Sequence, residues 1–154
     1  RQRQMCIRDR SKIDKNKIMY PEELVIPMKE ELTENGFKDL TTPEQVLEAL
    51  GQKGTTLLVI NSVCGCSAGA ARPGVLYSLT GDKKPDHLVT AFAGFDTEAV
   101  AEARKHMAPF PPSSPSIALF KDGELVHMIE RHHIEGHPAG AIAANLQAAY
   151  EEFC

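Results

Sequence analysis

The residues of this chain whose types and spacing could do chemistry are two cysteines one residue apart, Cys64 and Cys66. They follow the run TTLLVI at 55–60, which is typical of a buried central strand, and they precede small and apolar residues with helical spacing at 67–79. A cysteine at such a strand-to-helix junction lies near the positive end of the helix dipole and near free backbone N–H groups. Both favour the thiolate, which is the reactive form, so the position predicts thiol chemistry.

The spacing of the two thiols limits what that chemistry can be. Cysteines at i and i+2 form a disulfide only where the backbone bends, and Gly65, which has no Cβ, permits the bend. The small ring would be strained, and a strained bridge has a higher reduction potential than a relaxed one, which favours a redox role over a structural role. Two alternatives stay open on the residues alone: two apolar cysteines packed at a strand end, or a metal site that uses them.

The length and charge of the chain exclude other classes of protein. Its 154 residues, 42% of them hydrophobic, suffice for one compact domain with a sizeable core. Residues 20–154 carry a net charge of −9, which repels phosphates, so nucleic acid is not an expected partner. The sequence has no run of about eighteen apolar residues that could cross a membrane, and its basic start lacks the apolar core of a signal peptide. We therefore expect a cytoplasmic protein without a membrane partner; the oligomeric state has no signal in the sequence.

The first nineteen residues differ in composition from the rest. The opening RQRQMCIRDR contains four arginines and shows neither periodicity nor helix caps, so we expect residues 1–19 to be disordered or a non-native extension. Met19 would then be a natural start, and residues 20–154 would form the domain. Cys6 lies within the extension and is assigned no function.

Apolar spacing and turn signals predict alternating helices and strands in residues 20–154. In chain order these are a helix at 20–36, a strand at 37–40, a helix at 42–51, the strand at 55–60, a helix at 67–79, a strand at 87–93, a helix at 96–107, strands at 116–120 and 124–129, and a helix from 138 onward. Pro27 is expected to bend or break the first helix, and Pro73 to kink the third. A βαβ half followed by a ββα half predicts an α/β protein with a mixed sheet flanked by helices on both faces, which is the thioredoxin-like arrangement.

The predicted helices have apolar faces that should pack on this sheet. The residues assigned to these faces are Leu24, Val25, Met28 and Leu32 in the first helix, Val46, Leu47 and Leu50 in the second, Val100, Ala103 and Met107 in the fourth, and Ile142, Leu146 and Ala149 in the last.

A proline that enters the hairpin strand faces the dithiol in a thioredoxin-like fold. Ser114 and Pro115 immediately precede the strand at 116–120, so Pro115 is the candidate for that cis peptide bond. The assignment comes from the resemblance in fold, because only about 5–6% of X–Pro bonds in folded proteins are cis. An ordinary trans proline in a loop stays open.

Three segments resemble the bacilliredoxin family, which are small thioredoxin-like proteins with a Cys-Gly-Cys site: NSVCGCSAGAARP, PSSPSIALFKDGELVHMIERHHIEGH and PEELVIPMKEELTENGF. The similarity covers 20–154. It implies a thiol–disulfide oxidoreductase that removes bacillithiol, a low-molecular-weight thiol, from mixed disulfides on client proteins, without a bound cofactor. It also implies that Cys64 attacks, that Cys66 is its partner, and that Gly65, Ser114 and Pro115 bind substrate. Some members are described as weak disulfide isomerases, so a general protein disulfide isomerase or oxidase is the alternative function.

The mechanism leaves two features open at the level of sequence. After Cys64 has taken bacillithiol from a client, either Cys66 or a second bacillithiol molecule could resolve the new disulfide. No charged residue adjoins Cys64 in the sequence, so a charged partner must arrive through the fold. Arg72 is one candidate, although a solvated arginine on the helix surface is an equal alternative.

Four histidines lie within eleven residues: His127, His132, His133 and His137. With the dithiol they suggest a Cys/His metal-binding protein as a third function. His132 and His133 are adjacent where a strand passes into a loop, and Gly136 and Pro138 prevent a shared helical face. We therefore expect no metal, and interpret the histidines as lining a polar loop near the sheet edge.

Cys154 is the last residue of the sequence. A thiol at this position is expected to be solvated and idle. Two alternatives are that it reaches a mixed disulfide on Cys64 or that it pairs with another chain.

Overall fold

The computed structural model describes residues 20–154, and the predictions for residues 1–19, including Cys6, lie outside this range. Its elements are α1 (Glu22–Thr33), β1 (Lys38–Asp39), α2 (Pro43–Leu50), β2 (Thr55–Asn61), a π-helical turn (Ser67–Ala71), α3 (Arg72–Ser78), β3 (His87–Phe92), α4 (Thr97–Lys105), β4 (Ser116–Lys121), β5 (Glu124–Ile129), α5 (Arg131–Ile134) and α6 (Ala139–Phe153). The five strands pair in the order β1-β3-β2-β4-β5. β1 and β2 run parallel to β3, whereas β4 is antiparallel to both β2 and β5.

The central strand β2 shows why helices cover both faces of this sheet. All seven of its residues are buried, and successive side chains point to opposite faces. Leu57 and Val59 join the core beneath α1, α3 and α6, while Leu58 and Ile60 join a second core beneath α2 and α4. The predicted α/β fold with a mixed sheet is thereby confirmed.

The buried face of α1 agrees with the prediction at Val25 and Leu32 but not at Leu24. Val25, Lys29 and Leu32 are buried, whereas Leu24 is 42% exposed and its assignment to the core was wrong. The Lys29 ammonium enters the protein because two carboxylates meet it, Asp39 and Asp96, each at 2.9 Å. Within α2, Leu47 was also wrongly assigned to the core, since it is 51% exposed.

The two prolines expected to disturb helices are both accommodated. Helix α1 continues through Pro27, which lies on its exposed side, where water can reach the carbonyl that the proline leaves without a donor. Pro73 is the second residue of α3, immediately after the π-helical turn Ser67–Ala71. The irregular hydrogen bonding of this π-helical turn accommodates the N–H donor that Pro73 lacks, at the point where a kink was expected.

The C-terminal half follows the predicted order and adds one element. Strands β4 and β5 form the predicted hairpin, in which Asp122 and Gly123 adopt positive φ angles of 51° and 88°. The short helix α5 was missed, because four residues carry too little periodicity to be recognised. None of the helices among the described residues has both the length and the apolar character needed to cross a membrane.

Candidate active site

The two thiols lie beyond the C-terminal end of β2, in contact with each other. The Cys64 and Cys66 sulfurs are 2.9 Å apart, and both residues are partly buried. The Cys64 backbone N–H donates to Ser62 Oγ at 3.0 Å, while its carbonyl accepts the N–H groups of Ser67 and Ala68 at 2.9 and 3.2 Å. The first helical turn therefore closes around the dithiol, as its strand-to-helix position predicts.

The surroundings shift the pKa values of the two thiols in opposite directions. The pKa of Cys64 is lowered, first by the hydrogen bond from the Cys66 side chain, then by the Cys66 backbone N–H, with smaller contributions from the charge of Arg131 and the Ser67 N–H. The pKa of Cys66 is raised, first by burial and then by its hydrogen bond to Cys64 and the Cys64 charge. The Cys64 thiol therefore loses its proton more readily than the Cys66 thiol, which makes Cys64 the better candidate for the attacking thiolate.

The charged partner of Cys64 comes from α5, 67 residues along the chain. Arg131 Nη2 lies 3.3 Å from Cys64 Sγ and 3.2 Å from Glu135 Oε2. Sequence reasoning missed this residue, and only the position of RHHIEGH within the family-like segment could have drawn attention to it. Its charge favours the thiolate without burial, since the side chain remains 41% exposed.

The same guanidinium contacts both the dithiol and the loop that precedes Pro115. Arg131 Nη1 donates to the Ser114 carbonyl at 3.2 Å, and the Arg131 backbone N–H donates to Ser113 Oγ at 3.3 Å. The peptide bond between Ser114 and Pro115 is cis, in agreement with the isomer expected from the resemblance. Whether these residues and Gly65 bind substrate stays a prediction. A Cβ built on Gly65 would meet no atom within 4 Å, so this conformation does not itself require glycine there.

Arg72, the sequence-based candidate for the charged partner, has another role. It is 1% exposed, which also excludes the solvated alternative. Its Nη1 donates to Asn61 Oδ1, the Ser62 carbonyl and Ser67 Oγ at 2.7, 2.9 and 3.1 Å, and its Nε donates to Glu31 Oε1 at 2.7 Å. Because these acceptors lie on both sides of the Cys-Gly-Cys motif, the buried arginine fixes the two ends of the loop that carries the thiols.

The four histidines do not lie together in the one polar loop that was predicted. His132 and His133 lie on α5, and with His137 they line a cavity of about 260 Å³ between β5, α5 and α6, whereas His127 contacts Asn145 at 2.6 Å. Ligand atoms of Glu130, His132 and His133 converge within 4.8 Å. However, His133 Nδ1 accepts the Glu130 backbone N–H at 3.0 Å, so its lone pair already caps the helix. Among the described residues, neither Cys64 nor Cys66 belongs to such a convergent group of three, and the absence of a metal stays a prediction.

Cys154 lies at the opposite end of β2 from the dithiol. Its Sγ is 3.5 Å from Thr55 Oγ1, at the first residue of the strand, and the dithiol follows the last. Seven strand residues span about 20 Å. The alternative in which this thiol reaches a disulfide on Cys64 of the same chain is therefore wrong.

The chain is similar to known proteins in sequence and in fold. The sequence model of the family described as Disulphide isomerase matches residues 20–154. A bacilliredoxin of Cytophaga hutchinsonii is 60% identical over 134 residues, covering 87% of this chain and 99% of that protein. Bacilliredoxin BH1716 of Halalkalibacterium halodurans is 57% identical over 136 residues, covering 88% and 94%. A solved structure with a thioredoxin fold superimposes with a TM-score of 0.59 at 15% identity, covering 75% of this chain and 96% of its own.

Proposed function

The chain belongs to the bacilliredoxin family and is a thiol–disulfide oxidoreductase, and from this premise we propose that it removes bacillithiol from mixed disulfides on proteins. The observation that carries the proposal is the Cys64 sulfur, 2.9 Å from Cys66 Sγ and 3.3 Å from Arg131 Nη2, in a chain 60% identical to a bacilliredoxin. Such a reaction belongs in a compartment where thiols are kept reduced, and it uses no bound cofactor.

The first step is an attack by the Cys64 thiolate on the bacillithiol sulfur of the mixed disulfide. A new disulfide forms between Cys64 and bacillithiol, the old one breaks, and the client cysteine leaves as a thiolate that takes a proton from water. The client is thereby reduced, and the oxidised sulfur is now on this protein.

The second step returns bacillithiol, and the proximity of the two sulfurs favours resolution by Cys66. Its thiol loses a proton to water and attacks Cys64 Sγ, which forms the Cys64–Cys66 bridge and releases bacillithiol as a thiolate. With the two sulfurs 2.9 Å apart, this attack needs little movement of the flanking elements. Resolution by a second bacillithiol molecule is the competing route.

A second candidate function is the general isomerisation of protein disulfides. The description of the matching family, Disulphide isomerase, favours it. In this reaction Cys64 attacks a disulfide between two protein cysteines. The site then needs no group that binds a small thiol.

Mass spectrometry of a bacillithiolated client incubated with the protein tests the proposal. The wild type should release the bacillithiol, and Cys64→Ser should leave the client unchanged. Cys66→Ser should accumulate bacillithiol on Cys64 if Cys66 resolves the intermediate. Equal steady-state rates of Cys66→Ser and the wild type at every bacillithiol concentration would instead assign resolution to the small thiol. If scrambled protein disulfides are rearranged while the bacillithiolated client is not, the isomerase is the correct function.

A further inference from the structure

We propose that Arg131 also selects the substrate, by binding an anionic group, such as a carboxylate, on the small thiol that becomes attached to Cys64. The inference rests on the proposed function and concerns the chemistry of the small thiol that the site accepts. The guanidinium that holds the thiolate in the free protein would hold the substrate's anion once that thiolate has reacted.

Arg131 is placed where such an anion would lie. Its guanidinium touches Cys64 Sγ at 3.3 Å and the Ser114 carbonyl at 3.2 Å, so it lies between the reacting sulfur and the cis-proline loop. The side chain is 41% exposed, which leaves part of the planar donor set open to a ligand. A guanidinium offers five N–H donors in a fork that matches a carboxylate.

The reaction itself frees this guanidinium. When the Cys64 thiolate forms the new disulfide, its lone pair becomes the S–S bond and the negative charge leaves on the client sulfur. Arg131 Nη2 then faces a neutral sulfur, and Glu135, 58% exposed at 3.2 Å, is its remaining anionic partner. A carboxylate on the attached thiol can replace the lost charge at the same position.

The charges around the site make Arg131 the source of this selectivity. Its charge acts on both sulfurs, whereas Glu135 opposes it at Cys66. The described chain as a whole is acidic, with a net charge of −9 over residues 20–154, and would repel an anionic thiol. Arg131 is the partly exposed guanidinium that contacts Cys64 Sγ, so the attraction of an anionic thiol should weaken without it and increase when Glu135 no longer competes.

The test compares three mixed disulfides on a single-cysteine client, made with mercaptopropionate (anionic), mercaptoethanol (neutral) and cysteamine (cationic). The second-order rate of thiol removal is measured for the wild type, Arg131→Gln and Glu135→Gln, and each is divided by the rate with free dithiothreitol. The division removes the intrinsic reactivity of each disulfide. The ratio of anionic to neutral substrate then cancels any change in the nucleophilicity of Cys64.

The wild type is expected to prefer the anionic over the neutral adduct by about threefold, as for one partly exposed charge pair, and to disfavour the cationic adduct. The preference should disappear in Arg131→Gln and increase in Glu135→Gln. Equal ratios in the wild type and Arg131→Gln, with all adducts still removed, would overturn anion selection and leave the proposed function intact. Failure of the wild type to remove any adduct, bacillithiol included, would overturn both.

Discussion

Replacing the buried Arg72 by methionine tests whether this side chain holds the dithiol loop. Methionine has similar length and no donors, so the packing is largely kept while four hydrogen bonds are lost. The Ser62 carbonyl loses the Arg72 Nη1 donor inside the protein, which lowers the free energy of unfolding by about 1–3 kcal/mol. Asn61 Oδ1 still accepts from the Ser62 N–H at 2.8 Å and from Ser67 Oγ at 3.0 Å, and Glu31, 47% exposed, can turn to water.

The expected net loss in the free energy of unfolding is about 2–3 kcal/mol, because removal of a buried charge offsets part of the lost bonding. For a domain of this length the loss corresponds to about 7–10 °C in Tm. Urea and thermal unfolding followed by circular dichroism measure it. Arg104→Met is the matched control. The Arg104 Nε has no hydrogen-bond partner within residues 20–154, and its Nη2 is 3.5 Å from the Ser113 carbonyl, so we expect a loss below about 1 kcal/mol.

A readout on the thiols separates positioning from stability alone. If Arg72 fixes both ends of the loop, Arg72→Met should weaken the hydrogen bond between Cys66 and Cys64 and raise the pKa of Cys64, as measured by ultraviolet absorbance of the thiolate. Arg72→Lys keeps the charge without the planar fork and should recover only part of both effects. A loss no larger than that of the control, with an unchanged thiol titration, would refute this account of Arg72.

Three further predictions concern the dithiol, the helix packing and the terminal thiol. Cys66→Ala should move the pH–rate profile for attack by Cys64 to higher pH, because the hydrogen bond from the Cys66 thiol is the first cause of the lowered pKa of Cys64. Activity is lost as the pH falls through that pKa, and the shift should be larger than that of Arg131→Gln. An unchanged pH–rate profile would contradict this cause of the lowered pKa. Gly74→Ala should lower the free energy of unfolding in urea by about 1–3 kcal/mol, because the new Cβ would lie 2.7 Å from a side-chain carbon of α6. Gly65→Ala is the control and should cost less, because its new Cβ would enter open space. Cys154→Ser should leave formation and resolution of the mixed disulfide unchanged in stopped-flow assays, since this thiol lies at the far end of β2; slower resolution would show that it takes part.

The sequence sufficed for the elements of the fold because these depend on local periodicity. The continuous apolar run of β2, the turn between β4 and β5 and the apolar spacing of α6 are properties of a few consecutive residues, and the structure agrees with each prediction. The predicted faces of α1 and α2 were wrong at Leu24 and Leu47, which are exposed. Whether Leu24 or Lys29 enters the core depends on Asp39 and Asp96, which the chain brings to Lys29 from distant positions.

The cysteines could be selected as candidate catalytic residues from the sequence alone, because thiol reactivity is expected from the residue type and from the strand-to-helix junction that surrounds it. The arginine beside them was not. Arg72 is close in sequence and becomes buried in the loop network, whereas Arg131 is 67 residues away and reaches Cys64 Sγ at 3.3 Å. Contacts of such separation depend on how β5 and α5 return to the central strand, so only the tertiary structure decides which charge stabilises the thiolate.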